Sequence, residues 1–547
     1  MLKTHALGDL PEETLRVARA AFPKGNLYLR LRESFGTLYQ DEDFRELFAA
    51  VGRPALPPWR LALVSVFQFL EGLTDRQAAD AVRSRIDWKC ALGLELTDPG
   101  FDYSVLSEFR ARLVEGDAAQ LLLDKLLEHF KAEGLLKARG KQRTDSTHVL
   151  ANIRTLNQLE FLGETMRSAL NELAAVAPAW LGPRAPEVWF KRYARRVEEH
   201  RLPKAKTARE DYLRTVGDDG FALLDAVDHE TAPSELANLK QVAALRQVWA
   251  RHYERKGERV RLRDGPERTP VAEAIVSPYD PEARYTNKGG TSWNGYKLHL
   301  TETCDEDTPN FITHVRTVPA PQHDNKSIGP VHKALAAKAL LPQEHFVDGG
   351  YTDGTLFVRA RQDYGVRLVG PPPRDPAWQG KEPDALGVYD FKIDWERQQV
   401  TCPGGKTSVY WKAYQPPRGG ERINARFAKE DCRLCLHKTK CTRSQRFRSL
   451  NFQPEPQFEA LKAARERMMT QQGREEYNRR AGVEGTISQE VRAFGARRSR
   501  YRGEKKTHFQ QVATAAALNL VRYDAWLEQK PKGQVRPSRF AQLKQAA

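Results

Sequence analysis

The order of strand-like and helix-like segments between residues 295 and 372 constrains this chain more than any other feature. "GYKLHLTETC" (295–304) and "NFITHVRTV" (310–318) read as two consecutive strands, rich in β-branched and aromatic residues. A helix near 325–340 follows, then the strand-like "EHFVDGGY" (344–351), a helix at 354–364 and the strand-like "VRLVGPP" (366–372). Upstream, "KQRTDSTHVL" (141–150) has the same character. Three strands in succession, then helix, strand, helix, strand, predict a mixed α/β sheet rather than a doubly wound one.

The rest of the chain reads as helix around that sheet. With 547 residues, the chain exceeds one ordinary core, and its organisation divides into four parts. Residues 1–138 form a helical N-terminal domain. In it, "PPWRLALVSVFQFLEG" (57–72) opens on Pro and closes on Gly, and Thr74 with Gln77 forms a capping box. Two more helices follow, "YSVLSEFRARLVEG" and "AAQLLLDKLLEHFKAEGLL". Short helices with tight turns and exposed arginines suit DNA binding, and equally suit a plain helical bundle. Residues 139–372 hold the sheet, interrupted at about 155–270 by a charged helical insertion. A Pro-, Gly- and Cys-rich insertion occupies 373–450, and helices return over 451–547.

Composition narrows the partners. Lys and Arg number 87 against 71 Asp and Glu, a net charge of +16, which points first to nucleic acid. The longest apolar run, "LALVSVFQFL" (61–70), is only ten residues, well short of the roughly 20 that a membrane span needs. The N-terminus shows no signal-peptide core. Six cysteines are too sparse for a disulfide scaffold, so a reducing cytoplasm is expected. Four of them, Cys402, Cys432, Cys435 and Cys441, crowd into 40 residues. Cys432 and Cys435 have the knuckle spacing of tetrahedral zinc, and Cys402 sits on a Pro-Gly-Gly turn. A structural Zn²⁺ in a zinc-ribbon-like insertion is one reading, with His437 able to replace one cysteine. Reduced thiols that merely pack a small insertion are the other.

Three carboxylates stand where acids are costly or informative. Asp145 interrupts the strand "KQRTDSTHVL". Asp348 ends the strand "HFVDGG" at a sheet edge, where open α/β folds bind ligands. Glu484 lies in "YNRRAGVEGTISQ", a helical context beside small residues. Hard cations such as Mg²⁺ take oxygen ligands, and two such ions can serve phosphodiester chemistry. Asp353, five residues past Asp348, reads as a helix cap. Residues 491–506, "VRAFGARRSRYRGEKK", carry seven Lys or Arg against one Glu, the pattern of a phosphate-contacting segment.

These blocks resemble the DDE transposases of bacterial insertion sequences. "TDST" (144–147) is similar to that family's first-Asp motif and "VDGGYTDG" (347–354) to its second. In a large subgroup the catalytic Glu sits in the pattern Tyr, two residues, Arg, three residues, Glu, six residues, Lys. Tyr477, Arg480 and Glu484 match those spacings. The Lys position is Val491, so Arg492, Lys505 or Lys506 is left to replace that cation. "YTNKGGTSWNGYKLHLTETC" and "RRSRYRGEKKTHFQQVATAAALNLVR" also resemble the family.

The resemblance implies an RNase H-like catalytic core behind a helical DNA-binding domain. It implies metal-dependent cleavage at the element's ends and transfer of the freed 3′-OH into target DNA. Asp145, Asp348 and Glu484 would hold two Mg²⁺ (or Mn²⁺) ions. Arg480 and Tyr477, one and two helical turns before Glu484 on the same helix face, would contact phosphate, together with Arg497, Arg498, Arg500, Arg502, Lys505 and Lys506. The expected partners are double-stranded DNA, as terminal inverted repeats and target, and a second copy of the chain, with no membrane. The expected location is the bacterial cytoplasm, at the nucleoid. An inactive or domesticated DNA-binding relative, and a metal-dependent nuclease without strand transfer, are the alternatives.

Overall fold

The computed structural model describes residues 10–52, 54–257, 259–267, 271–417 and 419–530, together with residues 2 and 540. Most of the basic C-terminal tail beyond residue 530 therefore lies outside the described residues. Pro58–Glu71 forms helix α1, which starts on proline and ends at Gly72 in a left-handed conformation. Thr74 and Gln77 make the expected capping box at the start of the next helix, Asp75–Ser84. A short helix at Ile86–Leu92, not expected from the sequence, and one at Ser104–Glu115 lead to α2, Leu121–Ala132.

The chain then enters a six-stranded mixed sheet. Strand β1 is Lys141–Leu150, β2 Arg284–Lys288, β3 Thr291–Thr303, β4 Ile312–Pro319, β5 Glu344–Val347 and β6 Arg367–Val369. The order is β2-β3-β1-β5-β6. β4 pairs with the second half of β3, beside β2, which pairs with the first half. β1 is antiparallel to β3 but parallel to β5, and β5 is parallel to β6. The mixed sheet read from the segment order is therefore present, with β2 as an added strand. β3 and β1 lie close together at Gly295, whose φ is +149°. A Cβ there would stand 2.2 Å from the Val149 carbonyl oxygen and 2.6 Å from the Ala151 nitrogen. Only glycine lets the two backbones approach in this way.

Between β1 and β2 lies the charged insertion, with its own apolar core built around Leu162, Met166, Val216, Leu245 and Trp249. It is helical over most of its length. The expectation of helix throughout fails at Tyr253–Lys256 and Arg259–Leu262, which form an antiparallel hairpin. The buried faces of Tyr253 and Val260 explain it: alternating residues cover the helical core while charged ones face solvent.

After β5, Gly354–Tyr364 forms helix α3, capped as expected by Asp353, which accepts a hydrogen bond from the Leu356 amide at 2.8 Å. The Cys-rich insertion contains a two-stranded and a three-stranded antiparallel sheet, packed around Phe391, Val400, Ile423, Phe427, Leu450 and Phe452.

The C-terminal region carries a second departure. The segment around Tyr477 is not one continuous helix. A helix at Gln471–Asn478 ends, Arg479–Ala481 forms a 3₁₀ turn, and α4 runs from Gly482 to Phe494. The last element, α5 (Glu504–Leu527), is buried along most of its length. It packs between the N-terminal helices and β4, so α1, α2, the sheet and α5 share one apolar core. Phe69 meets Phe509, and Phe130 stacks between Phe311 and Tyr523 at centroid distances of 4.0 and 5.2 Å. Asn519 clamps the start of β4 by donating to the Ile312 carbonyl and accepting from its amide.

Candidate active site

The sheet topology itself brings the first two acids together. β1 and β5 are parallel neighbours with Thr144 opposite Val347, so Asp145 and Asp348, each one residue further on, stand side by side. Thr144 is wholly buried beneath them. Its hydroxyl lies 2.6 Å from that of Thr301 and 2.7 Å from Nε2 of His345. The residue before Asp145 is thus a rivet to both neighbouring strands. Asp348 also caps the turn that follows, accepting from the Gly350 amide at 2.8 Å.

Glu484 arrives on α4, which packs across β1 and β3. A buried ionic knot sets its register. Glu302, with no exposed surface, accepts from Arg143 of β1 at 2.7 Å, from Arg522 of α5 at 2.8 Å and from the Thr486 hydroxyl at 2.6 Å. Arg143 donates in addition to the Arg479 carbonyl at 2.7 Å, at the turn before α4. Gly482 leaves the room for this, since a Cβ there would stand 2.0 Å from Arg143 Nη1.

Arg480 then joins two of the three acids. Its guanidinium is 2.5 Å from Asp145 Oδ2 and 2.8 Å from Glu484 Oε1. Asp145 is 13% exposed and Arg480 16%, whereas Glu484 is 61% exposed at the rim. Burial pushes the Asp145 carboxyl up to about 6, against the pull of Arg480, with Asp348 and Glu484 adding to the rise. Burial works against the charge of Arg480, but Asp145, Tyr477 and Asp348 together hold its pKa above the ordinary value. Tyr477 is half-buried beside the group, its phenol raised first by burial, with Asp348, Asp145 and Glu484 contributing. The three acids, Tyr477 and Arg480 therefore form one electrostatic cluster where the C-terminal end of β5 meets the middle of β1.

Three groups that the sequence reading missed, Asp324, Lys297 and Lys288, complete it. Asp324, 6% exposed, pairs with Lys297 at 2.8 Å and Lys288 at 2.9 Å. Its Oδ1 lies 3.4 Å from the Ser146 hydroxyl. A Cβ at Gly350 would meet Asp348 Oδ1 at 3.0 Å and Asp324 Oδ2 at 3.2 Å, which fixes the two acids as neighbours. No motif marks Asp324. Its partners are 27 and 36 residues away and meet it only through the β2–β3 hairpin.

The basic segment lies against the C-terminal half of β1. Arg497 donates to the Thr147 hydroxyl at 2.9 Å, and Leu150 exchanges backbone hydrogen bonds with Arg497 and Ser499. Arg500 is turned inward, donating to the Leu73 carbonyl and stacking on Phe69. Arg502 lies over Tyr279 of the insertion, and Lys505 pairs with Asp117 at 2.7 Å. Arg498 and Lys506 are exposed. Of the residues proposed to replace the pattern's lysine, Arg492 is exposed on α4, while Val491 packs against the shared core.

In the Cys-rich insertion, a Cβ at Gly404 would lie 3.7 Å from Cys402 Sγ, 3.8 Å from Cys435 Sγ and 3.9 Å from the His437 ring. Cys402 Sγ accepts from the Lys406 amide and Cys432 Sγ from the Arg448 amide, both at 3.4 Å. Burial pushes the Cys441 thiol up to about 11; Arg448 opposes this and Cys432, Cys435 and Cys402 add to it. All four cysteines are free thiols. Among the described residues, no three His, Cys, Asp or Glu side chains are arranged to hold a metal ion. No described helix is long and apolar enough to cross a membrane.

Two family models match the chain. One, a transposase DDE domain, covers residues 401–523, and the other, a transposase domain (DUF772), covers residues 16–112. No curated protein matches it.

Proposed function

From the premise that this chain is a DDE transposase of an insertion sequence, we propose that it cuts DNA at its element's ends and transfers the freed strand into target DNA. The observation that carries the reading is the convergence of Asp145, Asp348 and Glu484, separated by up to 339 residues, on one parallel strand pair. An RNase H-like core is the fold this arrangement suits.

The chemistry of the donor set suits hard divalent cations, because it consists of carboxylate oxygens and burial penalises the charge of Asp145 even with Arg480 beside it. Asp145, Asp348 and Glu484 would hold Mg²⁺ or Mn²⁺, which supplies activation of the attacking oxygen and stabilisation of the leaving one. Arg480 meanwhile keeps Asp145 and Glu484 paired, holding the acids ready in the absence of a dication. Glu484, the most exposed of the three, is free to turn. In the first step the oxygen of water attacks phosphorus, the P–O3′ bond breaks, and a 3′-OH and a 5′-phosphate remain. In the second, that 3′ oxygen forms a new bond to a target phosphorus and displaces the target's own 3′ oxygen. Both steps need DNA phosphates beside the acids. Tyr477, Arg480, Arg497, Arg498, Arg502 and Lys506 would contact those phosphates, and Arg500 and Lys505 would join them if their internal partners release. Pairing of two ends requires two copies of the chain, hence a homodimer on DNA, acting in the cytoplasm on the nucleoid.

In the Cys-rich insertion, Cys402, Cys432, Cys435 and Cys441 are proposed to hold a structural Zn²⁺. Sulfurs gathered around the Gly404 turn, with amides donating to two of them, suit thiolates bound to a cation.

The test incubates full-length protein with labelled DNA carrying the ends that flank its gene, plus Mg²⁺. Wild type is expected to nick and join, and Asp145→Ala, Asp348→Ala and Glu484→Ala each to do neither. Cleavage that survives any one of these changes refutes the assignment.

A further inference from the structure

The family pattern expects a lysine seven residues after Glu484, and here that position is Val491, packed against the core. Arg480 already lies against Asp145 and Glu484, so a second cation near the acids would come from elsewhere in the chain. Lys288 occupies such a place. It ends β2 at the tip of the β2–β3 hairpin, where Gly289 and Gly290 turn the chain at φ of +58° and +82°. Register pairs it with Thr291 across the turn.

Charge accounting separates Lys288 from a structural lysine. Asp324 and Lys297 are both buried, 6% and 8% exposed, and neutralise each other at 2.8 Å. Lys297 spends a second proton on the Gln322 carbonyl at 2.6 Å. Lys288 adds a further positive charge to an acid that is already balanced, and its own side chain is 59% exposed. That surplus charge lies beside the cluster: Lys288 is 2.9 Å from Asp324 Oδ2, and that oxygen and Asp348 Oδ1 both flank the Gly350 position, at 3.2 and 3.0 Å from its Cβ site. A buried ion pair beneath and an exposed ammonium above make an anchored yet accessible cation. Its strongly hydrated point charge suits a single phosphate oxygen.

We propose that Lys288 binds a non-bridging oxygen of the DNA phosphate held at the active site, so that the β2–β3 hairpin supplies the cation absent at position 491. The proposal rests on the reading of Asp145, Asp348 and Glu484 as the cleavage site.

The experiment compares wild type, Lys288→Gln and Lys288→Arg as full-length proteins on end DNA, with binding measured without dication and cleavage with Mg²⁺. Lys288→Gln is expected to lower the slope of log affinity against log salt by about 0.9. It is expected to slow single-turnover cleavage by on the order of 10²-fold, with partial recovery in Lys288→Arg. Placing a neutral methylphosphonate at the scissile-side phosphates is expected to erase the binding difference between wild type and Lys288→Gln. A lysine that only braced Asp324 would move neither the salt slope nor the methylphosphonate response, and that result overturns the proposal even if cleavage falls. Loss of wild-type cleavage dependence on Asp348 would instead remove the active-site reading, while the two binding measurements still decide whether Lys288 meets phosphate.

Discussion

Glu490 presents a sharp test of how this fold treats charge. It lies on α4, nearly two turns beyond Glu484, with no exposed surface and no hydrogen-bond partner on either carboxyl oxygen among the described residues. The nearest cation, Arg522, already serves Glu302, Thr486 and the Asn310 carbonyl. Burial accordingly pushes Glu490 up to about 8; Arg522 lowers it and Glu302 raises it. A carboxyl whose folded pKa lies above its unfolded value binds its proton more tightly when folded. Its contribution is fully present below the unfolded value of 4.5 and is lost as pH rises through about 8. At about 1.4 kcal/mol per unit, the loss reaches roughly 4 kcal/mol near pH 7.5. Glu490→Gln keeps the shape and removes the titration, so its stability relative to wild type is expected to be level near pH 4. It should climb by roughly 4 kcal/mol towards pH 8 and then flatten. Urea unfolding of both proteins across that range measures the difference. The slope with pH is the diagnostic quantity, because any cost of burying the amide is constant. A difference that does not change with pH, or that grows in favour of wild type, refutes the reasoning and means that Glu490 is ionised and paired.

Two further outcomes follow from packing and from thiol chemistry. Gly295→Ala drives a Cβ into the backbone of Val149 and Ala151, which cannot yield as a side chain would; the expected cost is at least 1–3 kcal/mol, read as a lowered melting temperature with loss of cleavage. Full-length protein is expected to carry about one zinc per chain by elemental analysis, with Cys432→Ser and Cys435→Ser each losing it; wild type free of zinc after purification in zinc-supplemented buffer removes the proposed site.

The strand carrying Asp145 was legible to its ends, because alternation and β-branching there are those of a strand paired on both edges. Glu484 was legible through the spacing of Tyr477 and Arg480, although a 3₁₀ turn, not a continuous helix, separates Tyr477 from it. Asp353 read correctly as a cap. What escaped was whatever depends on non-local charge. Lys288 sits in "TNKGG", which reads as a loop because two glycines and an asparagine outweigh a five-residue strand. Asp324 sits in "QHDNKS", a turn by composition, and only the hairpin folding over it reveals an acid with two lysines. Glu490 is, in the sequence, one more polar residue of a helical segment. No periodicity announces that α5 and the knot at Glu302 enclose it.

The placement of α5 also dictates when the molecule becomes competent. Arg30 pairs with Asp524, 494 residues later, and Phe130 waits for Tyr523. A ribosome must therefore release the chain through residue 524 before the helices around Arg30 and Phe130 find this cover, so that the emerging chain exposes those apolar faces until then. A chain ending between residues 348 and 484 would possess both aspartates yet neither Glu484 nor the spine that clamps the sheet.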